Sequence, residues 1–207
     1  MREIDPKTTS RAKAFDLWMK AAMPMVTMTK TFDITHLLRI AKRKGVKLNM
    51  LMCYAVVRAA SEFKEFYMLP VGDKLMEFDN LAINTIVMTT DGSINTCDIP
   101  FSEDIHQFEA DYLRITSLAQ RSSEDVVLGD DYMVIGSSAL TKCELDSVVN
   151  VYAGFWNNPF VVWSKYRKSL FKTTLSLSFQ FHHTQMDGPI STGFLNRLQG
   201  VMNRLKY

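Results

Sequence analysis

An α+β fold is the expectation for this chain of 207 residues: a two-layer sandwich in which helices pack on one face of a mixed β-sheet. Three features predict it. In the stretch TTLSLSFQFHHTQMDGPISTGFLNRL, residues 173–198, Leu175, Leu177, Phe179 and Phe181 alternate with Ser176, Ser178, Gln180 and His182. That period of two belongs to a strand with one buried face. The period then changes. Pro189 sits where a helix can open without needing its N–H, and Ile190, Phe194, Leu195, Leu198, Val201, Met202 and Leu205 recur at helical spacing. Elsewhere, strand-like and helix-like segments mix without strict βαβ alternation, which favours α+β over a parallel α/β sheet.

The other elements follow in order. Residues 10–20 suit an amphipathic helix carrying Phe15, Leu17 and Trp18, with Arg11 near its start, and MVTMTKT alternates as a strand from Met25. Asp33 and Thr35 are candidate caps for THLLRIAKRK, whose last-turn cations and following Gly45 suit a helix C-terminus. Asn49 opens NMLMCYAVVRAASEF, apolar around most of its circumference and so expected at the centre of the helical layer. FYMLPV and KLMEF flank Gly72-Asp73, and AINTIVMTT and SINTCDI flank Asp91-Gly92, a hairpin dipeptide. Ser102 to Asp104 begin a helix with Ile105, Phe108, Tyr112, Leu113 and Ile115 on one stripe, and residues 119–131 read as a surface connection. YMVIGSS, SVVNVYAGF and PFVVWSK complete the expected strands.

Composition narrows the function. A hydrophobic content of 47% with 22% charged residues is that of a globular protein, and a net charge of +2 gives no reason to expect nucleic acid. The start, MREIDPKTTS, lacks the apolar core of a secretory signal, and no run is long enough for a bilayer. Cys53, Cys97 and Cys143 are odd in number and scattered, as reduced thiols would be, so a cytoplasmic location without membrane attachment is expected. The length suits one domain or a tight pair.

Among chemistry-bearing residues, no metal is expected. His182 and His183 are strand neighbours pointing to opposite faces, His36 and His106 lie in unrelated helices, and no cysteine pair has ligand spacing. The cluster Arg39, Lys42, Arg43, Lys44 and Lys47 is either a solvated helix end or a contact for a phosphate-bearing ligand. His183, at the carboxyl end of the buried strand, is either a satisfied interior histidine or a general base. Asp187 alone suits a helix cap.

His182-His183-Thr184-Gln185-Met186-Asp187-Gly188 matches the H-H-x-x-x-D-G signature of the chloramphenicol acetyltransferases. The chain resembles that family from about Arg11 to its end, including Phe32-Asp33-Ile34-Thr35, the Ser138-Ala139-Leu140 stretch and the FLNRLQ helix. The signature alone would also admit dihydrolipoyl acyltransferase catalytic domains. The resemblance implies a single coenzyme A-dependent acyltransferase domain over 1–207 with the fold of that family, using acetyl-CoA as co-substrate and no metal. It implies His183 as general base, Ser138 as donor to the oxyanion, and Asp187 paired with Arg11 as support of the base. Ser138, Tyr166 and Lys47 would contact coenzyme A, and Trp18, Met25 and Ile86 would line the acceptor pocket. It further implies a homotrimer with sites at subunit interfaces, acting on a small hydroxylated acceptor such as chloramphenicol, as antibiotic-resistance enzymes of the family do. The chain departs from the family at Ala139-Leu140-Thr141-Lys142, at Val162 and at Pro189-Ile190, and its pocket residues do not reproduce the usual set. These departures leave two further readings: a non-catalytic trimer that binds a ligand, or transfer to a thiol such as dihydrolipoamide.

Overall fold

The computed structural model describes residues 1–207. In chain order the elements are β1 (Arg2–Ile4), α1 (Ala12–Trp18), β2 (Met25–Asp33), α2 (Thr35–Lys44), α3 (Leu48–Ala60), β3 (Met68–Val71), β4 (Lys74–Glu77) and β5 (Asn80–Met88). There follow β6 (Ile94–Pro100), α4 (Ile105–Arg121), β7 (Tyr132–Leu140), β8 (Phe160–Ser164), β9 (Arg167–Lys168), β10 (Thr173–His182) and α5 (Gly188–Arg204). The main sheet runs β2-β10-β8-β7-β5-β6, with β9 also on β10, while β1, β4 and β3 form a small antiparallel sheet. β10 is antiparallel to both β2 and β8, whereas β7 is parallel to both β8 and β5, so the sheet is mixed as expected.

Alternation decides which face of the sheet the helices cover. Leu175, Leu177, Phe179 and Phe181 of β10 and Met133 and Ile135 of β7 join one apolar cluster with residues of α2, α3, α4 and α5. Every residue of α3 from Met50 to Val57 is buried, the central position its all-round apolar sequence demands. Phe179 meets Phe66, Phe181 and Phe194 at ring-centroid distances of 5.9, 5.2 and 4.8 Å. Such pairs add about 0.5–1.5 kcal/mol each beyond their buried area. No helix is long and apolar enough to cross a membrane. Cys53 and Cys97 are buried and Cys143 is exposed; burial pushes the thiols of Cys53 and Cys97 up to about 12.

Four local expectations are corrected. The segment SVVNVYAGF, read as a strand, is irregular. Both edges of β10 are already taken by β2 and β8, so this segment crosses the face of the sheet instead. There the Val148 N–H donates to the Ser178 hydroxyl (2.9 Å), and the Asn150 carbonyl accepts from the Gln180 amide (3.1 Å). α3 begins at Leu48, one residue before Asn49, whose side chain turns inward to Thr85 and Tyr112. The connection read as 119–131 starts later, because α4 continues to Arg121. Phe66 and Tyr67 lie in a 3-10 turn (Lys64–Tyr67) rather than in the following strand.

Candidate active site

The turn between β10 and α5 is held from several directions. His182, the last residue of β10, pairs with Met25, and the His183 N–H donates to the Pro24 carbonyl at 2.8 Å. The Gln185 side chain donates to the Met68 carbonyl at 2.7 Å, tying the turn to β3. His182 is buried on the helix-free face and its Nδ1 accepts the Thr184 N–H at 3.1 Å. Burial, aided by the neighbouring His183, pulls its pKa down to about 4. His182 is therefore a neutral structural ring at ordinary pH.

His183 differs. Its ring stacks on Trp18, with centroids 4.6 Å apart and planes 13° from parallel. Its Nδ1 is buried without a hydrogen-bond partner, which leaves Nε2 as the ring nitrogen open to a substrate. The backbone around it is gripped by Arg11, whose side chain is buried at the N-cap position of α1. Arg11 Nε donates to the Thr184 carbonyl (2.9 Å), Nη2 to the His183 carbonyl (3.0 Å) and Nη1 to Asp187 Oδ2 (2.9 Å). A planar guanidinium suits this task because its donors point in fixed divergent directions. Asp187 occupies the N-cap position of α5, yet its side chain makes no capping bond and faces Arg11 instead. Its backbone carbonyl accepts from the Ser191 N–H and hydroxyl, both at 2.9 Å.

Ser138 lies elsewhere. On β7, Ser137 faces the helices and donates to the Asn84 carbonyl at 2.6 Å, so by alternation Ser138 faces the helix-free side. In register, Ser138 is beside Val162 and Val162 beside Ser178. His183 is five residues past Ser178. At about 3.3 Å per residue and 4.8 Å per strand, roughly 15–20 Å separates Ser138 from the His183 of the same chain. Trp18 and Met25 accompany His183, whereas extending the β5–β7 register puts Ile86 level with Ser138 on the same face. The structure thus separates the residues around His183 from those around Ser138.

Lys47 and Tyr166 form a third group. Lys47 holds the N-cap position of α3, directly before Leu48, and Leu48, Asn49, Thr141, Trp163 and Tyr166 line a common cleft. Lys168 places its ammonium 5.7 Å from the Tyr166 ring centre. Of the basic cluster, Lys42, Arg43 and Lys44 end α2, where Gly45 takes a φ of 73°. No three His, Cys, Asp or Glu side chains converge as a metal site would require. The sequence reading passed over Asn84, Asp98, Asp125, Asn158 and Gln180, which line a cavity on the helix-free face. For Gln180 the signal was present in the polar half of the β10 alternation.

The fold with this histidine turn defines the class as acyl-CoA-dependent transferases. The family model described as chloramphenicol acetyltransferase matches residues 1–199, and the chain belongs to that family. The chain is 27% identical to chloramphenicol acetyltransferase 3 of Escherichia coli over 208 residues, covering 97% of this chain and 96% of the relative. A solved chloramphenicol acetyltransferase superposes with a TM-score of 0.85 at 20% identity, covering 97% of this chain and 99% of that one. A probable dihydrolipoamide acetyltransferase from Listeria monocytogenes shares the fold, with a TM-score of 0.70 at 16% identity over 98% of this chain and 94% of that one.

Proposed function

We propose that the chain, acting as a single domain over 1–207, transfers the acetyl group of acetyl-CoA to a hydroxyl of chloramphenicol or a related small acceptor. His183 Nε2 takes the hydroxyl proton as the acceptor oxygen attacks the thioester carbonyl carbon. For Nε2 to accept, the neutral ring carries its hydrogen on Nδ1. The Ser138 hydroxyl donates to the tetrahedral oxyanion. Collapse breaks the carbon–sulfur bond, and the imidazolium returns the proton to the coenzyme A thiolate. Arg11 and Asp187 position the ring by holding its backbone, while Lys47 and Tyr166 bind the coenzyme along the cleft at the start of α3.

The observation that carries this reading is the grip on His183: three donors of one buried arginine fix the turn, and only Nε2 is left open. The separation of Ser138 from His183 within one chain supports a homotrimer in which one copy supplies the base and its neighbour the oxyanion donor and acceptor wall. We place the enzyme in the cytoplasm, where acetyl-CoA is available and its thiols stay reduced.

The test is coenzyme A release from acetyl-CoA by wild type and His183→Ala, with chloramphenicol and with hydroxylated and thiol acceptors including dihydrolipoamide. The expected result is release with a hydroxylated acceptor, reduced by about 10²–10⁴-fold in the variant. Release with thiols only would move the substrate, and release that survives His183→Ala would remove the mechanism.

A further inference from the structure

A cluster of cations lies between α3 and α5, outside the site described above. Arg197, Gly200 and Arg204 are three and four residues apart and so share one face of α5. Tyr54 and Arg58, four apart, share one face of α3. These residues, with Lys206 from just beyond α5, line a cleft of about 220 Å³. Along α5 the cleft is about 18–24 Å from the histidine turn, and along α3 Arg58 is about 16 Å from Lys47.

Gly200 is the informative residue. Glycine in a helix interior costs stability relative to alanine, and Gly200 has no positive φ that would require it. A Cβ there would meet Arg204 Nη2 at 2.9 Å and Arg197 Nη1 at 3.7 Å. The missing side chain is thus the space into which two guanidinium groups fold.

The donors of these groups are only partly used by the protein. Arg197 donates through Nε and Nη2 to the Glu62 carboxylate, at 2.5 and 2.6 Å, and Arg58 Nη1 lies 3.0 Å from the same carboxylate. Arg197 Nη1 stays open and turned to Gly200, while Arg204 and Lys206 pair with no carboxylate. Arg204 is in the last turn of α5, where a cation commonly bonds the final carbonyls, but it bonds none of them. With one paired carboxylate against four cations, the cleft keeps a net positive charge. Two guanidinium groups over one patch of backbone repel each other until an anion lies between them. Arginine meets phosphoryl oxygens with paired N–H donors, a fit that a point charge lacks.

We propose that this cleft binds a small phosphate-bearing anion, held by Arg197 Nη1, Arg204, Lys206 and the free side of Arg58. The site is separate from the coenzyme cleft and stands whether or not the chain transfers acetyl groups.

Binding of inorganic phosphate and of phenyl phosphate to the full chain is measured by titration calorimetry at fixed ionic strength, with chloride as the reference anion. Saturable binding of at least one probe is expected, and the tighter of the two tells a free ion from an ester. Arg204 has no protein partner to lose, so Arg204→Gln should fold normally and weaken binding about tenfold or more, the worth of a charge-assisted bond. Gly200→Ala favours the helix, so it should raise the thermal midpoint and still weaken binding by displacing the Arg204 guanidinium. Lys47→Gln, in the coenzyme cleft, should leave binding unchanged. The inference is overturned by no saturable binding of either probe or by an equal response to chloride. Binding indifferent to both Arg204→Gln and Gly200→Ala, or binding lost with Lys47→Gln, overturns it as well.

Discussion

The turn at His183 and the face at Ser138 are built on opposite plans. At the turn, Arg11 gives all its ligating directions to a short stretch of chain, Trp18 covers the imidazole, and Gln185 anchors the turn to a second sheet. On the helix-free face, the wall is a loop hung from strand side chains: Val148 on Ser178 and Asn150 on Gln180. The first plan holds one ring in place, as a proton transfer at its Nε2 would require. The second sets the chemistry of a surface, which side-chain substitutions can alter without moving a strand. A family can keep one reaction and change its acceptor when the two tasks sit on separate elements.

Breaking the first region has the largest expected effect. Arg11→Ala leaves the His183 and Thr184 carbonyls without their donor and Asp187 without its cation. Loss of a buried partner costs about 3 kcal/mol, discounted here because the Asp187 side chain is 41% exposed. Misplacing the imidazole lowers kcat by about a hundredfold. That loss should be the same for every acceptor, which steady-state kinetics across the panel will check, with thermal unfolding reporting the stability change.

A smaller effect is expected from His182, through pH. His182 has a folded pKa of about 4, below the ordinary 6.5, so the unfolded chain takes up a proton that the folded chain refuses. Stability is then full above about pH 6.5 and falls as pH drops toward 4, by up to about 3 kcal/mol. Urea midpoints between pH 7 and pH 4 should show this slope, and His182→Gln should flatten it.

The smallest effect sharpens the second region. A Cβ at Gly136 would collide with the Phe160 ring, and both residues line the cavity on the helix-free face. Gly136→Ala should cost about 1–3 kcal/mol through overpacking. Unlike Arg11→Ala, it should raise KM by different factors for different acceptors.

Much of the fold was legible because β10 and α5 each declare their period within one contiguous stretch. The 147–155 segment misled because its valines satisfy a strand pattern locally, while the vacancy a strand needs is a property of the whole sheet. β1 was missed for a related reason: its few residues, Arg2–Ile4, pair only with distant Glu77, Met76 and Leu75. At the site, the signature named His183 and Asp187, but not that Ser138 stands roughly 15–20 Å away. That separation follows from strand order and register. The cavity on the helix-free face was least legible, since Asn84, Asp98, Asp125, Asn158 and Gln180 come to it from segments far apart in the sequence.

The placement of β10 also governs how the protein comes to be. This strand sits between β2 and β8 and follows both of them in the sequence. Arg11 meets Asp187 across 176 residues of sequence. A growing chain on the ribosome therefore holds β2 and β8 with open edges until β10 has emerged, a state prone to mispairing. Closing so long a span is slow, and the sheet and the grip on His183 are completed together. Truncated chains that stop short of β10 have neither, so an unfinished copy cannot be a weak enzyme.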